Sequence, residues 1–403
     1  MTYTSFGQIP TRFVNLPAAR AAYGDRVDRL APFLLRGDPL ADAALSAMKE
    51  RSHGKTAKEA YAWLDAGART GAESIPEAPA EVRAFFEAQE RVPAWADWEI
   101  MNRGGKLLLR AGLIGGLVLG AKSIVLGYAS PGGNKPLILA GGLTARAPRR
   151  LNETARYVRG VVSHDGLRPP ADGKPAGDGY VASCKVRIMH AQVRALLLTD
   201  PRWDTKAWGL PINQHDMMAT GNLFSTVLVD GLEALGLRAS ADEVASYMHL
   251  WRFAAKLMGV DDELLVSNIA EGRRWLDIIE ATQAPPDDDS RALTAALFAS
   301  SLQEAGPSSA EKRAALRSAH LLRGAAFELL GEDAARALGI APTPLQRAVP
   351  LLRRAIRAAE WSRSIGAFDE TRLKLGMRYW DDIATKGYRL YGAPFSVPTA
   401  LAP

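Results

Sequence analysis

The stretch KVRIMHAQVR, residues 185–194, decides how the middle of this chain folds. Its apolar positions recur at the period of an α-helix: Val186, Met189, Val193 and Leu197. His190 lies on the edge of that apolar stripe. Arg187 precedes His190 by three residues and Arg194 follows it by four, so both share a helix face with the imidazole. The pattern predicts an amphipathic helix that presents one histidine between two guanidinium groups.

This arrangement suits the binding of a haem. An apolar wall can face the porphyrin ring, the imidazole of His190 can bind the iron, and Arg187 and Arg194 can pair with the propionates. The same ten residues also fit a structural histidine that hydrogen-bonds to neighbours distant in sequence. The stretch alone leaves both interpretations open.

The composition describes an ordinary folded protein. The chain has 403 residues, of which 47% are hydrophobic and 23% charged, with a formal net charge of +6. Lysines and arginines are spread along the predicted helices, and no basic run with interleaved aromatic residues occurs. The sequence therefore argues against nucleic acid as a partner.

The chain has a single cysteine, Cys184. Neither an internal disulfide nor the Cys-x-x-Cys-His attachment of a c-type haem can form. A bound haem is therefore expected to be non-covalent haem b. The six histidines lie far apart in sequence, so none forms a local zinc or non-haem iron pair.

Two segments of the sequence bear on whether the protein is secreted, membrane-spanning or cytoplasmic. The first ten residues lack the basic and apolar regions of a signal peptide, which predicts a cytoplasmic protein, or a secreted one if the sequence is a trimmed form. Residues 107–129 are apolar and rich in glycine but contain Arg110 and Lys122. Their uninterrupted apolar run is too short to span a bilayer, so this segment is predicted to be a buried helix that neighbours approach closely.

Helical signals dominate the rest of the chain. Proline and capping-box positions predict that helices start at Pro79, Pro148, Ser240, Ser308 and Thr343. Breaks are predicted at residues 130–136, 165–179 and 284–289, which are rich in proline, glycine or aspartate. We expect an all-α fold and one domain over residues 1–403.

Three segments in order carry a resemblance to a known family. They are RLNET at 150–154, HAQVR at 190–194 and WGLPINQHDM at 208–217. Together they resemble the latex-clearing-protein (rubber oxygenase) and MpaB-like oxygenases, over about residues 95–280. The resemblance implies a globin-like helical core around one haem b, with additional flanking helices.

The resemblance also implies roles for individual residues. His190 corresponds to the axial iron ligand, and Arg150 and Thr154 correspond to distal residues on the side where O2 binds. It implies an oxygenase that acts on a hydrophobic, unsaturated substrate, either an isoprenoid- or lipid-like small molecule or a polymer. Two alternatives stay open: a haem protein that binds O2 or responds to redox state without turnover, and a haem-free helical protein that binds a lipid or a partner.

The chain departs from the rubber-cleaving pattern at two positions. Those relatives carry a lysine just before the distal threonine, where this chain has Glu153. They also carry a catalytic glutamate at the position of Asn134, which the sequence places in a Pro-Gly-Gly-Asn loop. Glu153 lies next to Thr154 and is predicted to border the pocket and act as a proton donor or base. The identity of the substrate stays open.

Overall fold

The structure is a computed structural model that describes residues 9–51, 57–141, 147–361 and 366–392. Within these ranges it contains helices and two isolated β-bridges but no β-strand, which confirms the all-α prediction. The α-helices are α1 Leu16–Tyr23, α2 Arg26–Leu30, α3 Pro39–Arg51, α4 Ala57–Thr70, α5 Ala80–Glu90, α6 Trp98–Val118, α7 Ile124–Tyr128, α8 Pro131–Gly141, α9 Ala147–Val161, α10 Asp178–Leu198, α11 Thr205–Trp208, α12 Gln214–Phe224, α13 Thr226–Ala234, α14 Ala241–Leu257, α15 Ile269–Thr282, α16 Asp288–Gln303, α17 Ser309–Leu330, α18 Glu332–Ala337, α19 Val349–Trp361 and α20 Gly366–Tyr391.

Two hydrophobic clusters hold these helices together. The larger is built mainly from α3 to α7, α9, α10, α13 and α14, and α20 closes it through the fully buried Trp380. The smaller joins the N-terminal helices α1 and α2 to α12 and α15. Met217 and Met218 of α12 belong to this second cluster and are buried. They are therefore core residues.

Glycines let the long helix α6 approach its neighbours at backbone distance. A side chain at Gly104 would collide with the backbone of Ser246 in α14. Gly112 has a φ of 48° and bends α6. A Cβ there would meet the Cα of Gly376 in α20 at 3.0 Å. These contacts match the predicted close approach of neighbouring helices to the glycine-rich segment.

A π-helical turn, Leu119–Ser123, joins α6 to α7, so residues Trp98–Tyr128 form one long helical rod. By length and composition alone this rod could cross a membrane. Within the fold, however, 61% of its most apolar window is buried, which is how the core helix of a folded domain is placed.

Several helix ends follow the sequence signals. Ser240 and Ser308 each form a capping box, with Glu243 and Glu311 respectively. Helix α14 ends before Gly259, whose φ is 86°.

The break predicted at 130–136 is wrong because these residues begin α8. The Ser130 side chain accepts a hydrogen bond from the Gly133 amide, and Pro131 occupies the first helical position, where proline is favoured. The side chain of Arg12 packs where a Cβ on Gly132 would lie, so tertiary packing supports a helix start that the two glycines obscure in the sequence.

Candidate functional site

The candidate site lies between the antiparallel helices α9 and α10. Close to one end of the pair, a Cβ on Gly160 would lie 3.0 Å from the amide nitrogen of Gly179. One turn further, the Ser183 hydroxyl lies 3.4 Å from the Tyr157 hydroxyl. Continuing this register for two helical turns places Arg150 of α9 level with His190 of α10. The fold thus brings together two segments that are 40 residues apart in sequence.

The two helices are packed tightly at one end and open at the other. Residues 179–184 of α10 are all buried, as are Tyr157, Val158, Gly160 and Val161 of α9. Towards the opposite end, Arg150, Thr154, Met189 and His190 are only partly buried. We call this more accessible end of the helix pair the α9/α10 cleft. Its margins are these four residues.

His190 presents one of its two ring nitrogens to this cleft. Its Nδ1 atom is fully enclosed and has no hydrogen-bond partner. Nε2 likewise makes no hydrogen bond with the described residues, but it is not enclosed. Burial, reinforced by the charge of Arg194 and opposed by Asp38, lowers the pKa of His190 to about 4. The imidazole is therefore neutral at physiological pH, the form in which histidine binds metals.

Arg150 is a partly buried cation that has no carboxylate partner among the described residues. Neither a hydrogen bond nor an ion pair is formed by its guanidinium there. Its charge acts on the side chain of Tyr128, the last residue of α7. An unpaired guanidinium at the margin of a cleft can bind an anion or a polarised oxygen atom.

The hydroxyl of Thr154 donates a hydrogen bond to the Arg150 carbonyl oxygen, at 2.9 Å. This bond follows the local helix pattern of threonine and uses the hydroxyl proton. Thr154 does lie one turn from Arg150, as the sequence predicts, but in this structure its oxygen is available mainly as an acceptor.

Arg187 and Arg194, which the sequence predicts to pair with propionates, both have partners within the protein. The Arg187 guanidinium binds Asp38 at 2.6 and 2.9 Å and Gln89 at 2.8 Å, and it is buried. Arg194 is also buried; it pairs with Asp42 and donates to two backbone carbonyl oxygens. Both arginines thus attach α10 to its neighbours, and their guanidinium groups are already paired within the protein. Sequence spacing placed them correctly beside His190 but could not show Asp38 and Asp42, which lie some 150 residues away.

The structure also corrects the placement of Glu153. Its carboxylate accepts a hydrogen bond from Arg149 at 3.0 Å. With Arg149 and Arg156 it lines a shallow groove against Gly387 and Tyr391 of α20. Glu153 therefore lies on the α20 side of α9, where it pairs with Arg149.

His215 lies in the third segment that carries the resemblance. His215 bonds through Nδ1 to Asp216 at 3.2 Å, and Asp216 also pairs with Arg12. Among the described residues, no group of three or more His, Cys, Asp or Glu side chains is arranged to hold a metal ion. A surface groove of about 340 Å³ lies elsewhere, between α2 and α15, and none of its lining residues is a histidine. Among the described residues, His190 therefore does not belong to a cluster of potential metal ligands.

Comparison with known proteins agrees with this arrangement of helices. A family model described as "ER-bound oxygenase mpaB/B'/Rubber oxygenase, catalytic domain" matches residues 98–361. The chain belongs to this family. The matched range includes α9, α10 and every residue assigned above to the margins of the α9/α10 cleft.

Two individual proteins are similar to this family member. The rubber oxygenase of Streptomyces sp. (strain K30) is 29% identical over 189 residues, which are 46% of this chain and 45% of that protein. The aligned part therefore spans less than half of the relative. The structure of the latex clearing protein LCP in the closed state covers 91% of this chain and 95% of its own, with a TM-score of 0.66 and 22% identity. At that identity the likeness concerns the fold.

Proposed function

We propose that this protein is a haem b-dependent oxygenase in which Nε2 of His190 binds the iron. The observation that carries the proposal is an imidazole without hydrogen bonds to the described residues, held neutral at the margin of a cleft. Of the two ring nitrogens, Nε2 is the one that is not enclosed, so it is the one that a ligand can reach. The family supports the same assignment, because its members are described as oxygenases.

The residues of the cleft fit a haem in chemical character. A neutral histidine is a common axial ligand, and Val186, Met189 and Val193 supply apolar contacts along α10. When bound, the haem would supply the redox chemistry by which O2 is activated. Since Arg187 and Arg194 are engaged in the fold, they are not proposed to hold its propionates.

The protein itself would orient and stabilise the reactants. Arg150 is level with His190 across the cleft and can stabilise negative charge that develops on an oxygen atom of the reactants. The hydroxyl oxygen of Thr154 can accept a hydrogen bond there while the same hydroxyl donates its own hydrogen bond to the Arg150 carbonyl oxygen. The apolar side chains of α10 would exclude water and strengthen these polar contacts.

We propose a hydrophobic, unsaturated substrate, of the isoprenoid or lipid type. The similar protein from Streptomyces is named a rubber oxygenase, and rubber is a hydrophobic polymer. Asn134 and Glu153 are departures from the rubber-cleaving pattern, and Glu153 does not face the cleft. We therefore propose the class of substrate without choosing between a polymer and a smaller molecule.

Addition of hemin to the purified protein tests the cofactor. The visible spectrum of the wild type is recorded beside His190→Ala and beside His164→Ala, a control whose side chain is 80% exposed. We expect a Soret band in the wild type and in His164→Ala, and a lost or shifted band in His190→Ala. Equal spectra in all three proteins would contradict the assignment of His190.

Oxygen uptake then tests turnover. The haem-loaded wild type is mixed with polyisoprene latex, squalene or an unsaturated fatty acid, with the saturated hydrocarbon squalane as the control. Uptake that depends on the double bonds and disappears in His190→Ala is the expected result. If the wild type shows a Soret band but takes up no oxygen with any unsaturated substrate, the oxygenase proposal is contradicted. The protein would then be a haem protein that binds O2 without turnover.

A further inference from the structure

We propose that the surface groove between α2 and α15 binds a small organic carboxylate with a flat apolar body, such as an aromatic acid. The groove has a volume of about 340 Å³, which lies in the range of pockets that hold small molecules. Its lining comes from α2, from the short 3₁₀ turns Ala31–Leu35 and Asp262–Leu264, and from α15. None of the lining residues belongs to α9 or α10, so the proposal does not depend on a haem in the α9/α10 cleft.

Two stripes of side chains form most of this groove. The stripe on α15 has the spacing of one helix face and consists of Glu271, Arg274, Trp275 and Ile278. The stripe on α2 and the turn that follows it consists of Arg26, Arg29 and Phe33. Each stripe thus combines at least one arginine with an aromatic side chain.

The floor of the groove is apolar. Phe33, Leu264 and Ile278 are buried and belong to the smaller hydrophobic cluster. The partly buried Trp275 packs against the same cluster. Because the core holds these side chains, the groove exists before a ligand binds. Its aromatic and aliphatic surface can remove the apolar body of a ligand from water.

Two of the three arginines in the groove have no partner among the described residues. Arg26 and Arg274 form neither a hydrogen bond nor an ion pair there, whereas Arg29 pairs with Asp25 at 3.1 Å. The indole Nε1 of Trp275 also makes no hydrogen bond within the described ranges, and it is not enclosed. Two guanidinium groups and one N–H donor are therefore available to the oxygen atoms of a ligand.

The two carboxylates of the lining are engaged elsewhere. Glu271 accepts a hydrogen bond from the backbone amide of Ser267 at 2.7 Å, and Glu263 lies 3.7 Å from Arg36. The lining carries three arginines and two glutamates, so its net charge is positive. A carboxylate complements that charge, and it matches the fork of N–H donors on a guanidinium group.

The test is calorimetric titration of the full chain with 2-naphthoate, an aromatic carboxylate, and with 2-naphthamide, its uncharged analogue of the same shape. The variants are Arg274→Gln and Arg26→Gln. Arg273→Gln is the matched control, because Arg273 pairs with Asp230 at 2.6 Å and does not line the groove. All three arginines are exposed, so the variants are expected to fold, and thermal unfolding of each checks this.

We expect the wild type to bind 2-naphthoate at one site per chain and 2-naphthamide at least about tenfold more weakly. Arg274→Gln and Arg26→Gln should each weaken the affinity for 2-naphthoate by about tenfold, the value of a hydrogen bond to a charged group. Arg273→Gln should keep the affinity of the wild type. A loss in either groove variant, with none in the control, supports the site.

Four results would overturn the proposal. The first is the absence of saturable binding to the wild type, and the second is equal affinity for 2-naphthoate and 2-naphthamide. The third is wild-type affinity in both Arg274→Gln and Arg26→Gln, which would place the ligand elsewhere. The fourth is an equal loss in Arg273→Gln, which would mean that any lost positive charge has this effect. Since no hemin is added, each of these results leaves the haem proposal unchanged.

Discussion

At the scale of single residues, the site depends on polar groups that the fold leaves without partners. His190 and Arg150 each lack a hydrogen bond from their side chains to the described residues, although most buried polar groups in proteins are paired. Arg149, next to Arg150 in sequence, is paired with Glu153. Adjacent arginines on one helix thus have different environments, which provides a matched pair for mutation.

We expect Arg150→Gln to lower the rate of oxygen uptake by about 100-fold while the Soret band is retained, since loss of one donor to developing charge commonly costs 10²–10³ in kcat. Arg149→Gln should keep the rate within a factor of about two. Steady-state oxygen-electrode measurements on both variants decide this. Similar losses in the two would show that helix α9 is sensitive to any change of charge.

Glu153→Gln should leave oxygen uptake nearly unchanged, because the carboxylate lies in the groove against α20 and pairs with Arg149. The sequence suggested the opposite, since Glu153 precedes Thr154 directly. The variant is compared with the wild type for kcat and thermal unfolding. Loss of turnover at unchanged thermal stability would show that Glu153 takes part in catalysis.

At the scale of elements, α10 is clamped to the N-terminal part of the chain by two buried arginine–aspartate pairs. Arg187 binds Asp38, and Arg194 binds Asp42, with Asp38 directly before α3 and Asp42 in its first turn. The clamp fixes the face of α10 from which His190 projects. The arginines that appeared to be ligands for propionates thus orient the helix that carries the proposed iron ligand.

Asp38→Ala should lower the free energy of unfolding by about 3–5 kcal/mol, because it leaves the charge of Arg187 buried without its partner. Asp25→Ala, which breaks the exposed pair with Arg29, should have little effect. Urea unfolding of the haem-free proteins measures both. An equal change in the two variants would contradict the clamp.

The helices also show which structural features local sequence patterns can predict. Capping boxes located the starts of α14 and α17, and the helical period located α10, because these signals are local. The start of α8 was missed because its two glycines resemble a loop, while the packing of Arg12 that supports it comes from more than 100 residues upstream. In the site, the sequence placed His190, Arg150 and Thr154 on their helices, but the ion pairs of Arg187 and Arg194 depend on tertiary contacts.

At the scale of the whole molecule, the cleft makes the haem-free protein sensitive to acid. The pKa of His190 is lowered to about 4 by burial and by Arg194, whereas an unfolded histidine has a pKa of about 6.5. The unfolded chain therefore binds a proton that the folded chain excludes as pH falls from about 6.5 to 4, and stability decreases through that window.

We expect the haem-free wild type to lose up to roughly 3 kcal/mol of stability between pH 7 and 4 from this group alone. His190→Gln should show a smaller decrease over the same range, while His164→Ala should follow the wild type. Urea unfolding at several pH values provides the measurement. Parallel curves for the wild type and His190→Gln would mean that this imidazole is not held neutral by the fold.

The central claim is that His190 binds a haem iron, and chemical rescue of His190→Gly tests it most directly. The variant is loaded with hemin, and its visible spectrum is recorded before and after addition of free imidazole. The account predicts that the wild-type Soret band is altered in His190→Gly and returns with imidazole, which can occupy the space of the missing side chain. A spectrum that equals that of the wild type without imidazole would contradict it, because the iron would then have another protein ligand.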